Sequence, residues 1–187
     1  MILPEIIENF VSEEMCNYLY ENLKSFAPVD DNGYSSLFVD KTSVDPTDIH
    51  FFNTLDASDE KQVLLKDIIN LLQQSAVSNF NIKKSEISLD RINFRTFKDG
   101  QFFHYHVDQC GEGGAIYTAL LYLNDDYEGG EIVFYDVETG REGPFEAFHP
   151  KTGTLFCFKG DHTSPHEVLP VLSGTRANIA MNFRFWD

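Results

Sequence analysis

AIYTALLYLNDDYEGGEIVFYDVETGREGPFEAF, residues 115–148, decides the fold class. Three apolar runs, 115–123, 131–135 and 145–148, are separated by turn formers such as Gly129-Gly130 and Thr139-Gly140, with no helical stretch between them. The same rhythm extends both ways. Strands are expected at 101–107, 154–158, 166–171 and 175–186, with breaks at Asp99-Gly100, Gly111 to Gly114, Lys159-Gly160 and Ser173-Gly174. Further upstream, Ile87 and Leu89 alternate, then Ile92 and Phe94 resume out of phase, which predicts a bulge near Asp90. About eight short strands without interleaved helices point to a mainly β antiparallel sandwich or jelly roll.

The first 86 residues read differently, as a helical lead-in and a loop. Ser12 can cap a helix in which Cys16, Leu19, Leu23 and Phe26 recur at helical spacing, with Glu13 and Glu14 at its positive end. A second helix is expected over 58–75, where Leu64, Leu65, Ile68, Ile69, Leu71 and Leu72 form an apolar stripe. The polar, turn-rich connection 27–52 has the character of a lid or substrate loop. The chain is expected to form one domain, residues 1–187, with N-terminal helices packed on one sheet of a β core spanning 87–187.

Charge narrows the function. Thirty acidic residues against 14 basic give a net charge of −16, which repels nucleic acid and anionic membranes. The longest apolar run, 115–123, falls far short of the ~20 residues of a membrane helix. Cys16, Cys110 and Cys157 form no CxxC pair, and the opening MILPEIIENF lacks the pattern of a signal peptide. A reducing, cytoplasmic setting is the expectation.

Within the β region, His106 and Asp108 stand two apart, so strand alternation would turn both toward one ion. His166 opens a later apolar strand. Two imidazoles and a carboxylate with open positions are the ligand set of an iron(II) facial triad. Of the other histidines, His162 lies in a Gly-Asp turn, His104 shares the parity of His106, and His50 and His149 sit in loops. Along 175–186 the odd positions Ala177, Ile179, Met181, Phe183 and Phe185 are apolar, whereas Arg176 shares the other face with Asn178, Ala180 and Asn182. A guanidinium on that small, polar face suits a carboxylate partner, either an acidic cosubstrate or an internal acidic side chain. Thr118, Leu120 and Tyr122 share a face of their strand, where Tyr122 can offer its hydroxyl to the same carboxylate. Phe102, Phe103, Leu120, Phe156 and Phe158 are candidate apolar lining.

The segments FKDGQFFHYHVD, TALLYLNDDYEGGEIVF, KTGTLFCF and HEVLPVLSGTR, in that order, resemble the prolyl 4-hydroxylase-like branch of the iron(II)/2-oxoglutarate-dependent dioxygenases, particularly bacterial PKHD-type hydroxylases. ILPEIIENFVSEEMCNYL looks like the helical lead-in of these enzymes. The resemblance implies a double-stranded β-helix (jelly roll), with His106, Asp108 and His166 as iron ligands. It implies Arg176 as the partner of the 2-oxoglutarate C5 carboxylate, with Tyr122 bonding the same group and Thr118 on that wall. Two departures stand out: Phe97 replaces a Tyr common in relatives, and Ala115 replaces an Arg. The cofactors implied are Fe(II), 2-oxoglutarate and O2, with ascorbate as an optional accessory reductant. Hydroxylation of an unactivated C–H bond would release succinate and CO2. A proline-containing peptide or protein is the leading substrate, and a free amino acid or other small molecule is the alternative. A zinc hydrolase and a non-catalytic cupin-like metal- and ligand-binding module are the rival classes. The hydrolase lacks a base, because Glu167 points away from His166.

Overall fold

Among the described residues, twelve strands and the helix α1 (Glu13–Phe26) form the structure, a computed structural model that describes residues 3–26, 34–35, 78, 87–98, 100–109 and 117–185. One antiparallel sheet runs β1 (Glu5–Ile7), β9 (Leu155–Lys159), β5 (Tyr117–Tyr122), β12 (Thr175–Phe185), β3 (Ile87–Lys98) and β2 (Tyr34–Ser35). A second runs β4 (Phe103–His106), β10 (His166–Val168), β7 (Ile132–Asp136) and β8 (Gly140–Phe148). A ribbon of β11 (Val171–Ser173) with β6 (Glu128–Gly129) joins them. The fold is mainly β, a jelly roll.

Strand β12 divides the interior. Its odd residues Ala177, Ile179, Met181 and Phe183 are buried against Cys16, Leu19 and Leu23 of α1, which covers the outer face of the larger sheet. Its even residue Ala180 joins Leu120, Tyr122, Phe156 and Phe158 in a second core with Ile132 and Phe134 from the smaller sheet. Period-2 alternation therefore assigns one face of the strand to the helix and the other to the space between the sheets.

The expected cap is in place: the Met15 N–H donates to Ser12 Oγ at 3.2 Å, and Glu13 and Glu14 occupy the first turn. Leu19 is fully buried in the core beneath α1. Leu19→Ala should cost ~2–5 kcal/mol, the range for emptying a packed leucine site, measured as a lower urea midpoint with an unchanged slope. An unshifted midpoint would remove α1 from the stabilising core.

The bulge lies where the phase change predicted it. Asn182 pairs with Arg91 and Phe183 with Leu89, so Asp90 is the extra residue. Three strand assignments need correction. Residues 166–171 form two strands in different sheets, because Pro170 has no N–H to continue a ladder; its carbonyl accepts from Gly130 N–H instead. The strand expected over 101–107 ends at His106, leaving Asp108 beyond it. The strand expected over 145–148 begins at Gly140, so turn formers at Gly143-Pro144 do not stop it. The short β1, β2 and β6 carry too little pattern to be read. The second helix (58–75), and all of 27–52 except Tyr34–Ser35, lie outside the described residues, as do His50, Cys110 and Ala115.

Candidate metal centre and its arginine pocket

His106 ends β4 and His166 begins β10, and the two are directly paired across the antiparallel ladder. Their ring centroids are 4.3 Å apart. Asp108 is not placed by strand alternation, since it sits on the bend after β4. A hydroxyl holds it instead: Thr118 Oγ1 donates to Asp108 Oδ2 at 2.5 Å and itself accepts from Asn182 Nδ2 at 2.9 Å. Asp108 Oδ1 lies 3.4 Å from His106 Nε2, and Oδ2 lies 4.0 Å from His166 Nε2. One ligand atom from each of the three residues falls within 4.8 Å of the others, a spacing that can hold one metal ion.

The protonation states suit that use. His106 Nδ1 sits 2.6 Å from the carbonyl of His104, and His166 Nδ1 sits 2.9 Å from the carbonyl of Ser164. A carbonyl only accepts, so each Nδ1 carries a proton, which leaves Nε2 as the nitrogen available to a metal. His106 Nε2 is buried without a hydrogen-bond partner, as a ligand atom without its metal would be. Burial, partly offset by Asp108, pushes the His166 pKa down to about 4, so the ring is neutral. Burial works against ionisation of Asp108. The flanking imidazoles of His106 and His166, the Thr118 hydroxyl and the charge of Arg95 outweigh it and hold the carboxyl well below its usual range. Thr118→Val removes the hydroxyl that orients this carboxylate. It should weaken divalent-metal binding about 10–100-fold, the usual effect of losing such a partner, in a calorimetric titration; an unchanged affinity would assign Thr118 to packing.

Aromatic rings wall the site. Phe158 meets His166 edge-on at 5.0 Å, and Phe103 meets His106 at 4.3 Å. Phe134 stacks on His166 at 5.5 Å, a role the sequence did not suggest. Leu120 and Phe156 belong to the interior as expected, but Phe102 is 46% exposed and packs on His104.

Arg176 is the largest fully buried side chain among the described residues, 1% exposed. Its guanidinium donates to Asn178 Oδ1 at 3.0 Å and to the Tyr122 hydroxyl at 3.1 Å, while Nε finds no partner. No carboxylate among the described residues forms an ion pair with it. The internal salt bridge that would explain Arg176 without a ligand is therefore absent among these residues. Phe97, opposite Arg176 on β3, lays its ring 5.2 Å from the guanidinium carbon, so the position that departs from the family pattern supplies an apolar wall and no hydroxyl. Gly130, at φ +66°, leaves the space: a Cβ there would stand 3.0 Å from Arg176 Cδ. A buried cation without a counter-ion is costly and fits a cavity that receives an anion.

The remaining candidates lie elsewhere. His149 packs on Tyr127, with centroids 4.5 Å apart, and His104 is exposed. Glu167 does point away from His166. It is buried behind the sheet, where it accepts from the Tyr135 hydroxyl and the Arg141 guanidinium, and so is no general base for a hydrolase.

Known proteins share this fold. Over its full length the chain is similar to a viral collagen prolyl hydroxylase from Paramecium Bursaria Chlorella virus-1, solved as a 2OG complex. The TM-score is 0.69 at 19% identity, covering 97% of that chain. A Trichoplax adhaerens prolyl hydroxylase, solved with a hypoxia inducible factor oxygen degradation domain peptide, matches 97% of this chain and 83% of its own. There the TM-score is 0.67 at 18% identity. In sequence, 67 residues are 37% identical to human prolyl 3-hydroxylase 2, 36% of this chain but 9% of that protein, so the chain spans a small part of this relative. The 2OG-Fe(II) oxygenase superfamily matches residues 92–184. With its paired histidines, held carboxylate and buried arginine inside that stretch, the chain belongs to the 2OG-Fe(II) oxygenase superfamily.

Proposed function

We propose that the protein is an iron(II)- and 2-oxoglutarate-dependent dioxygenase that hydroxylates an unactivated C–H bond of a peptidyl proline, releasing succinate and CO2. The observation that carries this reading is the buried Arg176, without a carboxylate partner among the described residues, in the same interior as the His106, Asp108 and His166 cluster. The residues fit the implied groups: an unpartnered imidazole nitrogen for the metal, and for the cosubstrate a guanidinium whose Nε is unpartnered.

His106, Asp108 and His166 would hold the iron. Arg176, with the Tyr122 hydroxyl beside it, would take the distal carboxylate of 2-oxoglutarate as a charge-assisted pair. When bound, the iron and 2-oxoglutarate supply the activation of O2 and the oxidising power. The protein's part is placement and exclusion of water. Thr118 fixes the Asp108 carboxylate, the carbonyls of His104 and Ser164 fix the imidazole tautomers, and Phe134, Phe156 and Phe158 line the interior.

A proline-containing peptide is favoured because the similar proteins named above are prolyl hydroxylases and one is solved with a peptide. The net charge of −16 suits a basic peptide or protein tail. Cys16 and Cys157 are free and buried, which supports placement in a reducing, cytoplasmic setting. The test is incubation with iron(II), 2-oxoglutarate and proline-containing peptides, reading succinate and a one-oxygen mass increase, with 3- and 4-hydroxyproline separated by chromatography. Succinate and a hydroxylated proline support the reading. Succinate with no peptide oxidation would turn the assignment to a small-molecule substrate, and no succinate at all would leave a binding module.

A further inference from the structure

We infer that Tyr105, Glu167, Tyr135 and Arg141 form a clamp on the outer face of the smaller sheet that sets the spacing of the two imidazoles on its inner face. This rests on the proposed metal centre. The four residues come one from each strand, in the sheet order β4, β10, β7 and β8. Three of them directly adjoin the inner row His106, His166 and Phe134, in which His166 is the register partner of the other two.

Glu167 is the hub. Its carboxylate is buried, accepts from the Tyr135 hydroxyl, and takes both Nε (3.4 Å) and the terminal nitrogen of Arg141. The Arg141 guanidinium carbon then lies 5.9 Å from the Tyr105 ring centroid, and Tyr105 packs on Tyr135 at 5.4 Å. Glu167 ties β10 to β7 and β8, and Arg141 reaches across to β4. The two histidines are carried by β4 and β10, and β4 is a four-residue strand with an irregular register to β10. So short a ladder fixes strand separation weakly, and the outer-face contacts supply the constraint. These are positioning residues: none reaches the cluster of His106, Asp108 and His166.

The test uses Co(II) as a spectroscopic probe in the full chain. Wild-type protein should bind one Co(II) with a defined visible band. Glu167→Ala should weaken that binding about 10–100-fold, as loss of an outer support does, and should shift the band. Arg141→Ala should act in the same direction, and Arg141→Lys should restore most of the loss. If Glu167→Ala does not fold, Tyr135→Phe takes its place, since it removes one donor and keeps the ring. A purely structural role would lower the melting temperature while leaving affinity and band unchanged in the folded variants; that result overturns the clamp alone. Wild-type protein that takes up no Co(II) overturns the clamp together with the metal centre.

Discussion

Arg176→Met should remove most of the thermal stabilisation that 2-oxoglutarate confers on the metal-loaded protein. In the wild type the cosubstrate carboxylate would pair with a buried guanidinium already oriented by Asn178 and Tyr122. The methionine variant leaves that carboxylate buried and unpaired, a loss of ~3–5 kcal/mol, or roughly 100-fold or more in affinity. At a concentration about 100 times the wild-type dissociation constant, ligand binding stabilises the wild type by about 2.7 kcal/mol. A 100-fold weaker variant gains only ~0.4 kcal/mol under the same conditions, by the same relation. Thermal unfolding of Mn(II)-loaded protein with and without 2-oxoglutarate measures this without turnover. An equal shift in both proteins would mean that the guanidinium serves another anion. Arg176→Lys should fall between the two, since lysine keeps the charge but not the planar fork.

Asp108→Ala should cost the metal itself. The carboxylate is the one anionic member of the cluster, held ionised by the hydrogen bonds and charges around it. Without it, two neutral imidazoles face a divalent cation, and Thr118 Oγ1 loses its acceptor. The expected loss of affinity exceeds the 10–100-fold of an outer-shell change, and succinate formation should fall to background. Metal content after gel filtration, read beside the far-UV spectrum, separates loss of the ion from loss of the fold. A folded variant that retains stoichiometric iron would remove Asp108 from the ligand set.

Much of this arrangement was legible in sequence, though sometimes for the wrong local reason. The parity of 175–186 was read directly, because a central strand buried on both faces still alternates between large apolar and small polar positions. The Asp90 bulge appeared as a phase slip between two apolar pairs. His106 and Asp108 do converge, yet strand alternation is not the cause: the strand stops at His106, and Thr118 brings the carboxylate in. That contact lies ten positions along the chain on another strand and leaves no local periodic signal. Pro170 marks the split of 166–171, but the apolar run around it reads as a single strand. Phe134 was hidden for a different reason. Stacking on His166 depends on which strands neighbour each other, and a run such as EIVFY looks the same whichever partner it meets.

The two faces of β12 separate selection on folding from selection on chemistry. Residues 177, 179, 181 and 183 lie in the core with α1, whereas 176, 178, 180 and 182 belong to the interior between the sheets. A combinatorial library confined to the even set can therefore explore new acidic ligands while the helix-facing core stays intact. Drift at the odd set would instead register as lost abundance in the cell, with ligand preference unaltered in whatever protein survives.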